Sequence, residues 1–266
     1  MSVWFNGEFV SGPIALDPAD RGLMLGDGVF ETIAVSGGHA IWLDAHLERM
    51  AHSSTALGLG FDEALALAAI TNVLQRSSAT HEVLRVTLTR GVTPRGLAAP
   101  ATSPNLLISL LPFDASKLPP SVTLAISTVR RNEWSLSSRH KTLSYIDNVA
   151  AAREILGKAD DALMLNTAGN VACSTVGNVF YLRGEVLSTP QDDQGILAGI
   201  TRQKIIDHAG FKVRKMIVKI EDIYAADAVF LTNSLRLVTP VTKLDDRELG
   251  NASVQYIKDY LKGLLP

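Results

Sequence analysis

The segment Gly195-Ile196-Leu197-Ala198-Gly199-Ile200-Thr201-Arg202 places two glycines ahead of a helix start that carries a threonine hydroxyl. Glycines let backbone approach a ligand closely, and the free N–H groups of a helix N-terminus attract phosphate. The segment is not a P-loop, because no GK[ST] follows. Lys141 follows the polar run Ser137-Ser138-Arg139-His140 and precedes a helix. Taken alone it reads as an ordinary exposed lysine, with a catalytic amine as the alternative. Arg49 stands three residues after His46 on a predicted helix, where a solvated charge is the plain reading. Cys173 is the single cysteine, so no internal disulfide can form, which fits a reducing compartment. As a residue type it also suits a small, half-apolar strand position. The histidines show neither HxxxH nor HExxH spacing, and no metal site is expected.

Alternating and periodic segments supply the scaffold for these groups. Val3–Phe5 and Phe9-Val10 flank Asn6-Gly7, a strong hairpin signal. Val29 to Val35 and His39 to Leu43 form a second expected pair around Ser36-Gly37-Gly38. Asp44 and Asp62 are positioned to cap two helices, the second running to about Ser77. Strands are expected at Glu82–Thr89 and Asn105–Leu111. The three prolines between 112 and 120 mark a linker, after which the pattern restarts. Strands are then expected near Val122–Ile126, Ala162–Leu165, Val179–Leu182, Glu185–Ser188, Phe211–Val218, Ala228–Thr232 and Leu237–Val241. Helices are expected from Leu143 to Leu156, from Gly199 to Gly210, and at the end over Val254, Ile257, Tyr260 and Leu261. The result is an α/β chain of two α+β domains, 1–113 and 121–266, joined by 114–120.

Composition excludes several classes. With 47% hydrophobic and 20% charged residues, the chain has an ordinary globular balance. A net charge of −2 without a basic run argues against nucleic-acid and anionic-membrane binding. No apolar run reaches the roughly 18–20 residues of a membrane span, and the first residues do not resemble a signal peptide. A cytoplasmic location is the expectation.

The motifs together resemble a known family. Arg21-Gly22-Leu23-Met24-Leu25-Gly26-Asp27-Gly28-Val29-Phe30-Glu31 is similar to the RGxxxGDGVYE segment of the class IV, or fold type IV, pyridoxal-phosphate enzymes. That family comprises branched-chain aminotransferases, D-amino-acid aminotransferases, (R)-amine transaminases and aminodeoxychorismate lyases. His46-Leu47-Glu48-Arg49 resembles its HxxR motif, which implies that Arg49 grips the cofactor phosphate. Lys141, in Lys141-Thr142-Leu143-Ser144-Tyr145-Ile146-Asp147-Asn148, resembles its Schiff-base lysine. Gly195 to Arg202 resembles its GxxxGITR loop, and Thr232-Asn233-Ser234 its second phosphate-contacting turn. Five motifs in the family's order span most of the chain. The resemblance implies pyridoxal 5'-phosphate at a domain interface, phosphate contacts from Arg49, Ile200, Thr201 and Thr232, further cofactor contacts at Asn178 and Asn233, and a homodimer. The activity implied is transfer of an amino group between a D-amino acid or primary amine and a 2-oxo acid. Aminodeoxychorismate lyase is the rival, and a cofactor-binding protein with little catalysis is a third reading.

Two departures stand out. The family reads G-x-V-x-E-x-x-x-x-N-[LIV]-F where this chain has Gly169-x-Val171-x-Cys173-x-x-x-x-Asn178-Val179-Phe180. The resemblance places Cys173 where the family's glutamate holds a proton on the pyridine nitrogen, a charge-assisted bond of about 1.5–3 kcal/mol. A neutral thiol is a weak hydrogen-bonding group. Either the ring works less protonated, or another acid substitutes, or turnover is poor. In Thr93-Pro94-Arg95-Gly96-Leu97, Arg95 matches a substrate-carboxylate trap of the D-amino-acid aminotransferases, whereas Leu97 replaces its histidine and Phe30 its tyrosine. Phe30 and the segment 231–241 are closer to the lyase branch.

Overall fold

Asn6 and Gly7 both adopt positive φ, 46° and 107°, and turn β1 (Ser2–Phe5) into β2 (Glu8–Phe9). The computed structural model describes residues 2–207, 212–250 and 252–265. The chain divides into two units: Met1–Ala115 with His140–Tyr145, and Ser116–Arg139 with Ile146–Leu265. Among the described residues no helix is long and apolar enough to cross a membrane.

In the first unit the elements run α1 (Arg21–Leu25), β3 (Gly28–Ser36), β4 (His39–Ala40), α2 (Leu43–Leu57), α3 (Glu63–Leu74), β5 (His81–Thr89) and β6 (Asn105–Pro112). Its antiparallel sheet has the order β2-β1-β6-β5-β3-β4. Period-two alternation divides the sheet's two faces. Ile33, Leu84, Val86, Ile108 and Leu110 are buried in one cluster with Leu47 and Met50 of α2 and Ile70 and Val73 of α3. Register places Phe30 opposite Thr87 and Thr32 opposite Arg85 on the other face.

The second unit contains β7 (Val122–Ile126), α4 (Leu136–Arg139), α5 (Ile146–Glu154), β8 (Asp161–Leu165), β9 (Val171–Ser174), β10 (Asn178–Arg183) and β11 (Val186–Pro190). Then come α6 (Ile200–Ile206), β12 (Lys212–Met216), α7 (Ile220–Tyr224), β13 (Ala228–Asn233), β14 (Leu237–Leu244), β15 (Arg247–Glu248) and α8 (Gln255–Gly263). Its sheet runs β12-β11-β10-β13-β14-β7-β8-β9, and a further β10–β9 pairing closes a ring. The pair that closes it is Asn178 with Cys173.

Most expected elements are present, and the differences have local causes. Leu43 begins α2 instead of ending a strand, because Trp42 enters the left-handed region (φ 52°) and is itself the cap; Asp44 lies in the first turn. Asp62 caps α3 as expected, accepting from Leu65 N–H at 2.9 Å, but α3 ends at Leu74. The helix expected from Leu143 starts at Ile146, since Thr142 bridges to Val29 and Leu143 N–H bonds Gly28. Gly210 and Phe211, expected as a helix end and a strand start, lie outside the described residues.

Candidate active site

The segment carrying Lys141 is strapped to the open edge of β3. Phe30 N–H donates to the Lys141 carbonyl, and Leu143 N–H to the Gly28 carbonyl, each at 2.9 Å. Gly28 permits this seating: a Cβ there would meet the Leu88 carbonyl oxygen at 2.4 Å and Leu143 Cδ1 at 2.7 Å. Asp27 anchors the approach, accepting from Arg21 Nε at 2.8 Å and Arg90 Nε at 2.7 Å, and these bonds hold its carboxyl below the usual range against the opposing effect of burial. The Arg21–Glu31 motif therefore acts first as a clamp for the lysine segment.

Glu31 lies on the helix side of the sheet, 1% exposed. It accepts from Arg49 Nε at 2.7 Å and Nη2 at 2.5 Å, and faces His46 Nδ1 at 2.7 Å. Burial acts to raise its pKa, but Arg49 and His46 outweigh it and set the value at about 2. An ionised carboxylate only accepts, so His46 carries its proton on Nδ1. Burial pushes the imidazole pKa down, and it stays neutral, with Nε2 buried and unpartnered. Arg49, expected on phosphate, thus has one edge fixed by Glu31, which sets the plane of its five-donor fork.

The Lys141 amine donates to Tyr145 Oη at 3.2 Å and lies 4.3 Å from the Phe30 ring centroid. Its pKa is lowered to about 8, chiefly by burial; Glu31 opposes the shift, and Arg49 and Arg85 add to it. Arg95 and Leu97 sit on an exposed turn. Arg21 donates to the carbonyls of Gly96 and Leu97 at 2.8 and 3.0 Å, and Leu97 is 82% exposed.

In the second unit three of the expected cofactor residues share a row. Cys173 pairs with Asn178, and Asn178 with Thr232, so the three side chains lie on one sheet face. Neighbouring strands are about 4.8 Å apart, so the row spans about 10 Å. A bulge makes this possible: Met164 pairs with Cys173 but Leu165 with Val171, leaving Ala172 as the extra residue. It turns Cys173 away from the face on which Val171 packs.

The start of α6 is fixed to the same row. Asn178 Nδ2 donates to the Leu197 carbonyl at 2.8 Å, and a Cβ on Gly199 would lie 2.0 Å from Asn178 Oδ1. Ile200 and Thr201 open this helix, which packs against β13. The Thr201 and Thr232 hydroxyls are both buried and unpartnered. Asn233 lies in a turn: its Oδ1 accepts from Leu235 and Arg236 N–H at 3.1 and 2.9 Å. Arg202 is structural, bonded to Asp192 at 2.8 Å and to the Pro190 carbonyl at 2.9 Å. Burial pushes the Cys173 thiol pKa up and Asp161 adds to this, while Arg131 pulls it down.

Glu31 and Tyr145 lie inside the motifs but carry no role that spacing reveals, and Arg85 and Arg131 belong to no motif. A charged residue in the middle of the alternating run 82–89 was the available signal for Arg85.

This chain belongs to the class IV aminotransferases: the model of that family, "Amino-transferase class IV", matches residues 28–244. The chain is 28% identical to an aminodeoxychorismate lyase from Bacillus subtilis, covering 94% of this chain and 89% of that protein. It is 27% identical to a D-alanine aminotransferase from Bacillus licheniformis, over 95% and 92% of the two chains. The crystal structure of a putative 4-amino-4-deoxychorismate lyase from Legionella pneumophila superposes with a TM-score of 0.87 at 29% identity, over 95% of this chain and 96% of that one. The class uses pyridoxal phosphate. Taken unit by unit, the residues suit that group: in the second unit the Thr201 and Thr232 hydroxyls are buried and unpartnered, as phosphate donors would be, and in the first unit Lys141 is a part-buried amine of lowered pKa, as an aldehyde's partner would be. At Cys173 the chain offers a neutral thiol.

Proposed function

We propose that this protein moves an amino group between a D-amino acid or primary amine and a 2-oxo acid, with pyridoxal phosphate carried on Lys141. The observation that supports this best is the part-buried Lys141 amine, whose pKa of about 8 suits both nucleophile and base. When bound, the cofactor supplies an aldehyde for the lysine and a conjugated ring that accepts the electron pair of a departing substrate proton. At neutral pH a fraction of Lys141 on the order of a tenth is free amine, far more than for an ordinary lysine. Its Nζ takes and returns the substrate proton, steadied by Tyr145 Oη. Glu31 keeps its charge and orients Arg49. Arg49, Ile200, Thr201 and Thr232 are assigned to the phosphate, Cys173 and Asn178 to the ring edge, and Asn233 to the adjoining turn. Phe30 is assigned to the substrate side, with Arg95 and Leu97 as outer contacts. A cytoplasmic homodimer completes the proposal.

The second reading is the lyase, with release of pyruvate and p-aminobenzoate, supported by Phe30 in the place of the carboxylate trap's tyrosine and by the likeness to an aminodeoxychorismate lyase over 94% of this chain. The Cys173 thiol is held neutral by burial and has no charge to keep a ring proton in place, which handicaps either reaction. The experiment is a spectral screen of purified protein with added pyridoxal phosphate. A visible band fixed to Lys141 by borohydride supports the cofactor assignment, and its absence overturns it. Bleaching of the band by D-amino acids or (R)-amines supports transfer. Pyruvate and p-aminobenzoate formed from aminodeoxychorismate support lysis instead. Inertness to every donor, with the band intact, reduces the protein to a binder.

A further inference from the structure

The row of Cys173, Asn178 and Thr232 has two unlike ends. At one end the Thr232 hydroxyl is buried and unpartnered, ready to donate to an anion. At the other end the Cys173 thiol packs with Ala151, Ile155, Met164 and Ile196. Two charged groups act on that thiol, Arg131 and Asp161. In β8 the residues that pack with Cys173 are Ala162 and Met164, so Asp161 alternates onto the opposite face, that of Leu163. There it is held by Ala162 N–H and by the backbone and hydroxyl of Thr175. Arg131 is fastened to the strand end that carries the thiol. It donates to Asn148 Oδ1, and Asn148 Nδ2 donates at 2.7 Å to the carbonyl of Thr175, two residues after Cys173. It also donates to the carbonyl of Gly195, the neighbour of Ile196. Among the described residues no carboxylate bonds Arg131. The thiol end of the row therefore has an unneutralised cation fixed near it, and the acid that acts on it faces the other way.

We propose that this end of the row binds the cofactor's ring nitrogen without a proton: the Cys173 S–H donates to the nitrogen lone pair, and Arg131, acting as a positioning residue, keeps a second positive charge out. The inference rests on the reading that pyridoxal phosphate lies along this row with its phosphate at the Thr232 end. A protonated ring nitrogen is a cation, and burial and a nearby like charge each favour its neutral form. A thiol can donate to a neutral nitrogen, whereas a carboxylate accepts from a protonated one, so the bond at position 173 runs in the opposite direction from the one a glutamate would make. The S–H is a weak donor, and the protein gains little affinity from the nitrogen.

The test reads the nitrogen directly, by nitrogen-15 NMR of protein loaded with ring-labelled pyridoxal phosphate. In wild type the resonance should be that of neutral pyridine near neutral pH, and Cys173→Ser should leave it there. Cys173→Glu should move it to the pyridinium position. The pH midpoint of nitrogen protonation should rise by about one unit or more in Arg131→Gln and stay in place in Arg131→Lys, which keeps the charge. A purely structural arginine would not give that pair of results. Calorimetry then compares pyridoxal phosphate with its 1-deaza analogue, in which C–H replaces the nitrogen. The preference for pyridoxal phosphate should be about tenfold to a hundredfold greater in Cys173→Glu than in wild type. The wild-type and Cys173→Ser spectra decide the matter even where the glutamate or glutamine variant does not fold. A pyridinium resonance in wild type, an Arg131→Gln midpoint that does not rise, or equal preferences in wild type and Cys173→Glu overturns the assignment. A wild-type protein that binds neither compound would instead sink the cofactor reading, so the two failures are separable.

Discussion

Replacing Lys141 by Met should stabilise the cofactor-free protein at neutral pH. The amine's pKa is about 8 in the fold against 10.5 ordinarily. At about 1.4 kcal/mol per pH unit, that gap corresponds to a folding cost of up to about 3 kcal/mol. Below pH 8 both folded and unfolded chains hold the proton, and the full cost is present. Between 8 and 10.5 the unfolded chain binds the proton more tightly, so stability rises with pH. Above 10.5 the cost has gone. Methionine keeps the stem's length and loses the bond to Tyr145, about 1 kcal/mol, so a net gain near 2 kcal/mol is expected at pH 7. Urea unfolding of both proteins from pH 7 to 10.5 measures it, and their difference cancels the other titrations. A variant less stable than wild type at pH 7, or a difference that does not shrink with rising pH, would refute the reasoning.

Three further outcomes follow from the same geometry. Attachment of pyridoxal phosphate, followed by stopped-flow absorbance, should quicken as pH rises and level off above about 8, because it tracks free Lys141 amine. Glu31→Gln should cost about 3 kcal/mol at neutral pH, since it leaves the Arg49 charge without its carboxylate. The Glu31 contribution is present above pH 4.5 and fades as pH falls toward 2, so acid unfolding of the variant should lack that component. Thr201→Val and Thr232→Val should each raise cofactor-free stability by about 1 kcal/mol while weakening cofactor binding several-fold, because each hydroxyl is buried without a partner. Thermal melts with and without cofactor separate the two effects.

The elements set by local rules were legible in the sequence. Asn6-Gly7, Asp62 and the alternation of 82–89 state their turn, cap and strand in adjacent residues. The family motifs likewise put Lys141, Thr201 and Thr232 forward by position, and their roles at the cofactor are the proposal made above. What stayed hidden depends on pairings distant in sequence. Leu143 has helix-compatible neighbours, yet it extends because β3 offers an open edge more than a hundred residues earlier. Arg49 and Glu31 meet only once α2 lies over the sheet, so the carboxylate that orients the arginine could not be found by spacing along either element. Asn233 lies in the turn that its motif marks, and the motif could not show that its side-chain Oδ1 accepts from the Leu235 and Arg236 N–H groups two and three residues on. The Ala172 bulge decides which face Cys173 occupies, and nothing in a four-residue strand announces it.

That bulge also makes a prediction about Arg131. This arginine is buried and donates to the Gly195 carbonyl at 3.2 Å, to Asn148 Oδ1 at 3.0 Å and to the Ser138 carbonyl at 2.9 Å, all neutral acceptors. Asp161, which also acts on Cys173, is held instead by Ala162 N–H and by the backbone and hydroxyl of Thr175. A carboxylate introduced by Cys173→Glu would therefore enter a buried site with a cation in reach and no acid yet bonded to it among the described residues. An unpaired buried carboxylate costs several kcal/mol, and a well-placed pair recovers much of that. The Cys173→Glu variant should fold in the Arg131 background and be strongly impaired alongside Arg131→Met, with a coupling of about 2–3 kcal/mol in the double-mutant cycle. A coupling below about 0.5 kcal/mol would show that Arg131 does not feel position 173. The loaded Cys173→Glu enzyme should also run the amine half-reaction faster, since the carboxylate can hold a proton on the ring that the neutral thiol cannot. Coupling without a faster half-reaction would mean that this protein tunes its ring through a group other than residue 173.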